Sequence, residues 1–146
     1  MPNIAPAAAA ADPAPIPTPE GVETVRSAHD VAGTLDRLAA LATARGLTLF
    51  ARIEFARDAA GVGLALRPMA QLVFGNPRAG TALLAAAPTA GLDLPLRALA
   101  WTDNAGQTWL SYTTPEALVA RHGAPGALAA ALAPVRTLCA AAAGRE

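Results

Sequence analysis

The sequence predicts an α+β fold, an antiparallel sheet with helices on one face. Three observations carry this. The chain has 146 residues, which suits one domain with one hydrophobic core. Its strand-like and helix-like segments run strand, helix, two strands, short helix, hairpin, helix. The pattern switches cleanly between a period of two and a period near 3.6.

Each element has its own justification. Val22–Ala28 (VETVRSA) reads as a first strand. A helix follows, with Val31, Leu35, Leu38 and Ala42 on one apolar face and Asp36 and Arg37 pointing away. Asp30 is its N-cap, Ser27 with Asp30 being an alternative capping box, and Gly46 closes it as a left-handed residue. In Leu47–Phe55, the residues Leu47, Leu49, Ala51, Ile53 and Phe55 alternate with more polar positions, predicting a strand buried on one face. ARDAAGVG is expected to be a flexible connection, and Met69–Phe74 a third strand.

The next helix has a strong start. Asn76 is an N-cap and Pro77 occupies the first helical position, where its missing N–H costs nothing. Pro88 should end it. Leu94–Thr102 is a fourth strand, and Gln107–Thr113 returns beside it. A three-residue loop, Asn104 to a left-handed Gly106, sets Trp101 opposite Trp109; a loop one residue longer would put them on opposite faces. Asp103 at the start of the turn favours the shorter loop. Thr114 and Pro115 open a short helix that runs through Arg121 and ends at Gly123. A last helix carries Leu128, Leu132, Val135 and Cys139 on one stripe, with Pro134 kinking it. Residues 1–20 are Ala/Pro-rich with few large apolar side chains, so the domain is expected over 21–146 and the tail is expected to be disordered.

Bulk composition removes several functions. Eleven arginines balance eleven acids, so net charge is zero. That argues against nucleic-acid binding driven by phosphate neutralisation and against a polybasic membrane anchor. One cysteine, Cys139, cannot form an internal disulfide. The most apolar stretch, Ala124–Gly144, is interrupted by Pro125, Pro134 and Arg136, so no transmembrane helix is expected. No basic residue precedes Arg26 to make the positive region of a secretory signal, which points to the cytoplasm.

The stretch Gly75-Asn76-Pro77-Arg78-Ala79-Gly80-Thr81 approaches a phosphate-binding loop but lacks the lysine before the hydroxyl. It turns the chain first, and it leaves a strand feeding a helix N-terminus with Arg78 nearby, where a carboxylate or phosphate could bind. His29, His122 and Cys139 are far apart, so no metal and no cofactor are expected. His29 reads as solvated, and His122 as a helix C-terminal dipole partner or an exposed side chain. Cys139, on an apolar stripe, reads as a buried inert thiol. Ser111 and Thr113 lie on a strand with no histidine expected beside them. Glu54, Asp58 and Asp93 would form paired carboxylates only if their strand ends met, and Asp93 more simply accepts local backbone N–H groups. Trp101, Trp109 and Tyr112 read as core and hairpin packing.

Three segments together, GLTLFARIEF, LRPMAQLVFGNPRAGTALL and GLDLPLRALAWTDNAGQTWLSYTTPEALVARHG, resemble the bacterial domain-of-unknown-function family 302 across Val22–Gly123. Its members read like FGNPKAGTPLM and then DLPLKALVWED-GKVWLSYNDP. The resemblance implies a β-α-β-β-β-β-α order similar to half of the TATA-binding-protein fold, and a homodimer. It supplies no catalytic residues. Members often carry ARIDHA where this chain has Glu54 and Phe55, so the acid is kept and the histidine is not. The expectation is therefore a small homodimeric domain that binds a small ligand, an anionic one among the options, or a protein partner. Asn76, Arg78 and Thr81 are its candidate ligand residues and Arg52 a second cation. The alternative is an enzyme using Glu54 or Asp93 as acid–base, with Arg78 holding an anionic substrate.

Overall fold

The structure is a computed structural model and describes residues 18–144, so the tail expected at 1–20 lies mostly outside the described residues. Five strands form one antiparallel sheet: β1 (Val22–Arg26), β2 (Thr48–Ile53), β3 (Met69–Gly75), β4 (Leu96–Thr102) and β5 (Thr108–Thr113), in spatial order β1-β5-β4-β3-β2. The helices are α1 (Val31–Ala44), α2 (Phe55–Gly61), α3 (Pro77–Ala86), α4 (Pro115–Arg121) and α5 (Pro134–Ala143). Two 3₁₀ segments, Pro88–Leu92 and Gly126–Leu132, precede β4 and α5. This is the α+β antiparallel arrangement that the element order predicts.

The core lies between the sheet and the pair α1 and α5, which pack on each other. Leu35, Leu38 and Ala42 of α1 meet Ala70, Leu72 and Phe74 of β3, and Val135, Leu138 and Cys139 of α5 complete the layer. Alanines dominate the middle strands: Ala70, Ala98 and Ala100 are fully buried. Small side chains there let the helices approach the sheet closely, which is how an alanine-rich chain reaches a dense interior.

The caps follow the sequence. Asp30 accepts from Gly33 N at 2.6 Å, Asn76 accepts from Arg78 N at 3.0 Å, and Thr114 accepts from Ala117 N at 3.2 Å. Gly46 has φ +77°, the left-handed conformation that ends α1. Ser27 is not the cap; its hydroxyl sits 2.6 Å from Thr34 Oγ1 inside the fold.

Five expectations need correction. The first strand stops at Arg26: Ser27 N still donates to Thr108 O, but Ala28 N donates to Ala143 O of α5 instead of to the sheet. Strand β2 is not buried on one face. It is a sheet edge, mostly exposed, and its register shifts between Leu49↔Phe74 and Ala51↔Val73. Phe50 is the extra residue, and such a bulge flips the alternation beyond it. Leu49 and Arg52 therefore share the helix side, while Ala51 and Ile53 face the other way. The expected connection at 56–63 instead begins as helix α2, whose first turn already has good formers in Ala56, Arg57 and Ala59. Arg37 does not point away: its guanidinium donates to Ala142 O at 3.0 Å and Ala141 O at 3.1 Å. Pro134 breaks the last helix rather than kinking it, leaving 3₁₀ before and α after. That combined stretch, Gly126–Ala143, is long and apolar enough to cross a membrane by composition. Here Leu132, Val135, Leu138 and Ala142 are buried in the domain core.

Candidate functional site

Where β3 runs into α3, the chain opens a cleft of about 380 Å³. The floor is Gly75 and Leu96, and the walls are Leu94, Leu84 and Leu132, with Phe50 at the side. The bulge that breaks the β2 pattern presents Phe50, half-exposed, to this space. The cis Leu94–Pro95 peptide forms part of the wall. Gly80 and Gly91 both line the cleft. A methyl at Gly80 would lie 3.8 Å from Leu94, and one at Gly91 would lie 3.5 Å from Leu84.

Asn76 and Thr81 also line the cleft. Asn76 Oδ1 and the Thr81 hydroxyl proton are committed locally. Asn76 Oδ1 caps Arg78 N, and the Thr81 hydroxyl donates to Pro77 O at 2.6 Å. Pro77 has no N–H, and Gly80 N donates to Asn76 O at 3.0 Å. The first turn of α3 thus leaves at most the Ala79 N–H for a ligand, far short of a phosphate cradle. Arg78 is exposed beside this turn.

The structure does not bring Arg52 to these residues. It stands opposite Leu72, three positions back along β3 from Gly75. There it pairs with Asp36 at 2.6 Å and Glu54 at 2.9 Å, clamping α1 to the edge strand. Those two carboxylates hold the guanidinium in its charged form against partial burial. Glu54 is thereby occupied as well.

Asp93 is the more informative acid. Its carboxylate bonds to side chains and not to the local backbone N–H groups expected: it meets His122 Nε2, with Arg121 at 3.5 Å. The other imidazole nitrogen of His122, Nδ1, lies 2.9 Å from the Thr89 hydroxyl. The His122 side chain is 5% exposed, so it is no freely solvated helix end. His29 is also engaged, with Nε2 2.6 Å from Gly144 O. Nothing in the sequence spacing linked Thr89, Asp93 and His122; only side-chain hydrogen bonds from the 3₁₀ turn and its following residue to the end of α4 join them.

A second network ties the sheet to α5. Arg136 bridges Glu116 at 3.0 Å and Glu23 at 3.3 Å. These acids raise the arginine's proton affinity, and the arginine in turn lowers Glu116. Tyr112 and Cys139 lie near Glu23; burial first, then this charge, pushes both their proton affinities up. Among the described residues, no three of His, Cys, Asp and Glu gather in a metal-binding group.

Comparison with known proteins agrees with the architecture. The profile of the DUF302 family, described as a domain of unknown function, matches residues 23–142. An uncharacterized conserved DUF302 protein from Bacillus stearothermophilus superposes with a TM-score of 0.71 at 22% identity, over 86% of this chain and 97% of that one. A protein from Brucella suis named fluoride-specific ion channel FluC 1 is 45% identical over 102 residues, 70% of this chain. A namesake from Brucella abortus matches equally. The chain spans 40% and 38% of the length of these two relatives.

Proposed function

The chain belongs to the DUF302 family, and on that premise we propose that it is a binding domain whose site is the cleft at the β3–α3 junction. The observation that carries this reading is the lining. Leu84, Leu94, Leu96 and Leu132 surround a space of about 380 Å³, within the size range of small-molecule pockets. Because leucines, Phe50 and prolines make up most of the lining, the ligand is mainly apolar. A small polar or anionic end can meet the Ala79 N–H and Arg78. The domain works as a homodimer in the cytoplasm. The outer sheet face favours self-association, since Met69, Leu99, Trp101 and Trp109 are only half-buried there.

The test is native mass spectrometry of gently purified protein, followed by thermal-shift measurements with small apolar carboxylates. A co-purified mass, or a concentration-dependent rise in melting temperature, supports the reading. No stabilisation across a saturating series counts against it.

A second reading rests on the relatives named as fluoride-specific ion channels, which contain this domain within a longer chain. In it, the domain's partner is a channel-type membrane protein. Co-expression with the remaining part of the Brucella suis relative should then retain this chain on the membrane fraction, and an equal distribution with and without that partner would exclude it.

A further inference from the structure

We infer that Thr89, His122 and Asp93 form a nucleophile, base and orienting acid for acyl transfer from small activated esters. The array lies outside the cleft reading and stands without it. Thr89 is exposed, on the 3₁₀ turn Pro88–Leu92; Asp93 follows that turn; His122 caps α4.

The proton positions follow from donor and acceptor chemistry. A carboxylate only accepts, so neutral His122 carries its proton on Nε2 and donates it to Asp93 Oδ2. Nδ1 is then left with a lone pair. The Thr89 hydroxyl, 2.9 Å away, donates to it. A nucleophile within hydrogen-bond reach of a base, itself oriented by a third group, is the arrangement that activates a hydroxyl. The burial pattern suits this use. The imidazole is sheltered at 5% exposure, while Thr89 is exposed and its bond to Nδ1 lies at the surface. A packed imidazole holds its orientation, and an exposed hydroxyl can be reached.

The step balances. Thr89 Oγ1 attacks the ester carbonyl carbon as its proton passes to His122 Nδ1. The carbon–oxygen bond to the leaving alcohol breaks, and that alcohol takes the proton from His122. Water then adds to the acyl-threonine with the same base, releasing the acid and restoring the hydroxyl. Arg121, at 3.5 Å from Asp93, is the cation the fold sets beside the array, and it neighbours the acid rather than the hydroxyl. Esters with good leaving groups, needing least stabilisation of the developing oxyanion, are therefore the substrate class.

The experiment uses the full chain with p-nitrophenyl butyrate, comparing wild type, Thr89→Ser, Thr89→Val and Asp93→Asn, each checked for folding by circular dichroism. Wild type should release p-nitrophenolate above the buffer rate, and acid quench should trap a butyryl group on the peptide holding Thr89. Thr89→Ser should retain release, whereas Thr89→Val should lose it on the order of 100-fold, the usual worth of such base assistance. Asp93→Asn should lower the rate while the fold persists. A merely structural tie between the turn and α4 would not place an acyl group on Thr89. Release that is absent in wild type, unchanged in Thr89→Val, or accompanied by acylation elsewhere would overturn the assignment.

Discussion

Trp101 and Trp109 stand opposite each other across the β4–β5 hairpin, with ring centroids 6.4 Å apart and planes inclined by 29°. Their N–H groups diverge: Trp101 donates to Ser111 Oγ at 2.9 Å and Trp109 to Asp103 Oδ2 at 2.8 Å. The pair thus joins the open sheet face to the turn. Stacked rings add to their area burial, so a double-mutant cycle of Trp101→Ala and Trp109→Ala should give a coupling of about 0.5–1.5 kcal/mol. Strictly additive losses in chemical denaturation would show that the rings do not interact.

Asp103 organises that turn. It accepts from the backbone N–H groups of Ala105 and Gln107, each at 2.9 Å, as well as from Trp109. The Trp109 bond, foremost, and these amides hold its carboxyl below the usual carboxylate range. A folded-state proton affinity below the unfolded one adds stability above the ordinary carboxylate range and loses it as pH falls through the folded value. Asp103→Asn should therefore lower the melting temperature at neutral pH, and the gap from wild type should narrow as pH falls below about 4. A gap independent of pH would contradict the assignment.

The N-caps of α3 and α4 are separable elements. Asn76→Ala and Thr114→Ala each remove one side-chain acceptor, from Arg78 N and Ala117 N. Each should cost about 1 kcal/mol in urea unfolding. Asn76→Gly should cost only a few tenths, because a glycine leaves the amide open to water.

Cys139 should be inert in the folded state. It is fully buried against α1 and the sheet, and burial, with a lesser push from Glu23, raises its thiol to about 12. A disulfide reagent should label it only at the rate of global unfolding, rising steeply with urea. Fast labelling of native protein would place the thiol at the surface.

The cleft can be filled without disturbing the core. Ala131 lines it from the 3₁₀ segment and is itself exposed. Ala131→Trp should abolish ligand-dependent stabilisation while changing the ligand-free stability by less than about 1 kcal/mol, as surface substitutions usually do. Undiminished ligand stabilisation in that variant would move the site elsewhere.

Much of this was legible along the chain. Asp30, Asn76–Pro77 and Thr114–Pro115 marked three helix starts, since capping acts between neighbours a few residues apart. Gly106, at φ +81°, set the hairpin register and with it the Trp101–Trp109 pairing. The apolar stripe Val31, Leu35, Leu38, Ala42 identified the buried face of α1. The bulge at Phe50 was not legible, because alternation through Leu47–Phe55 looks unbroken until β3 imposes its own register. Nor was helix α2, whose alanines and glycines lack a strong apolar stripe.

The features readable along the chain are local and periodic. They include the order of the strands and the longer helices, three caps, the turn residues and the buried face of α1, all of which depend on contacts within one or two turns of chain. Tertiary structure alone decided which distant groups meet. Asp36 reaches Arg52 because α1 crosses the sheet edge. Thr89, Asp93 and His122 converge because the fold brings the 3₁₀ turn within hydrogen-bond reach of the end of α4. The cleft exists because Phe50, α3 and the segment before α5 leave a gap that glycines do not fill. Such encounters arise from the packing of whole elements, and packing is a property of the assembled layers rather than of any stretch of residues.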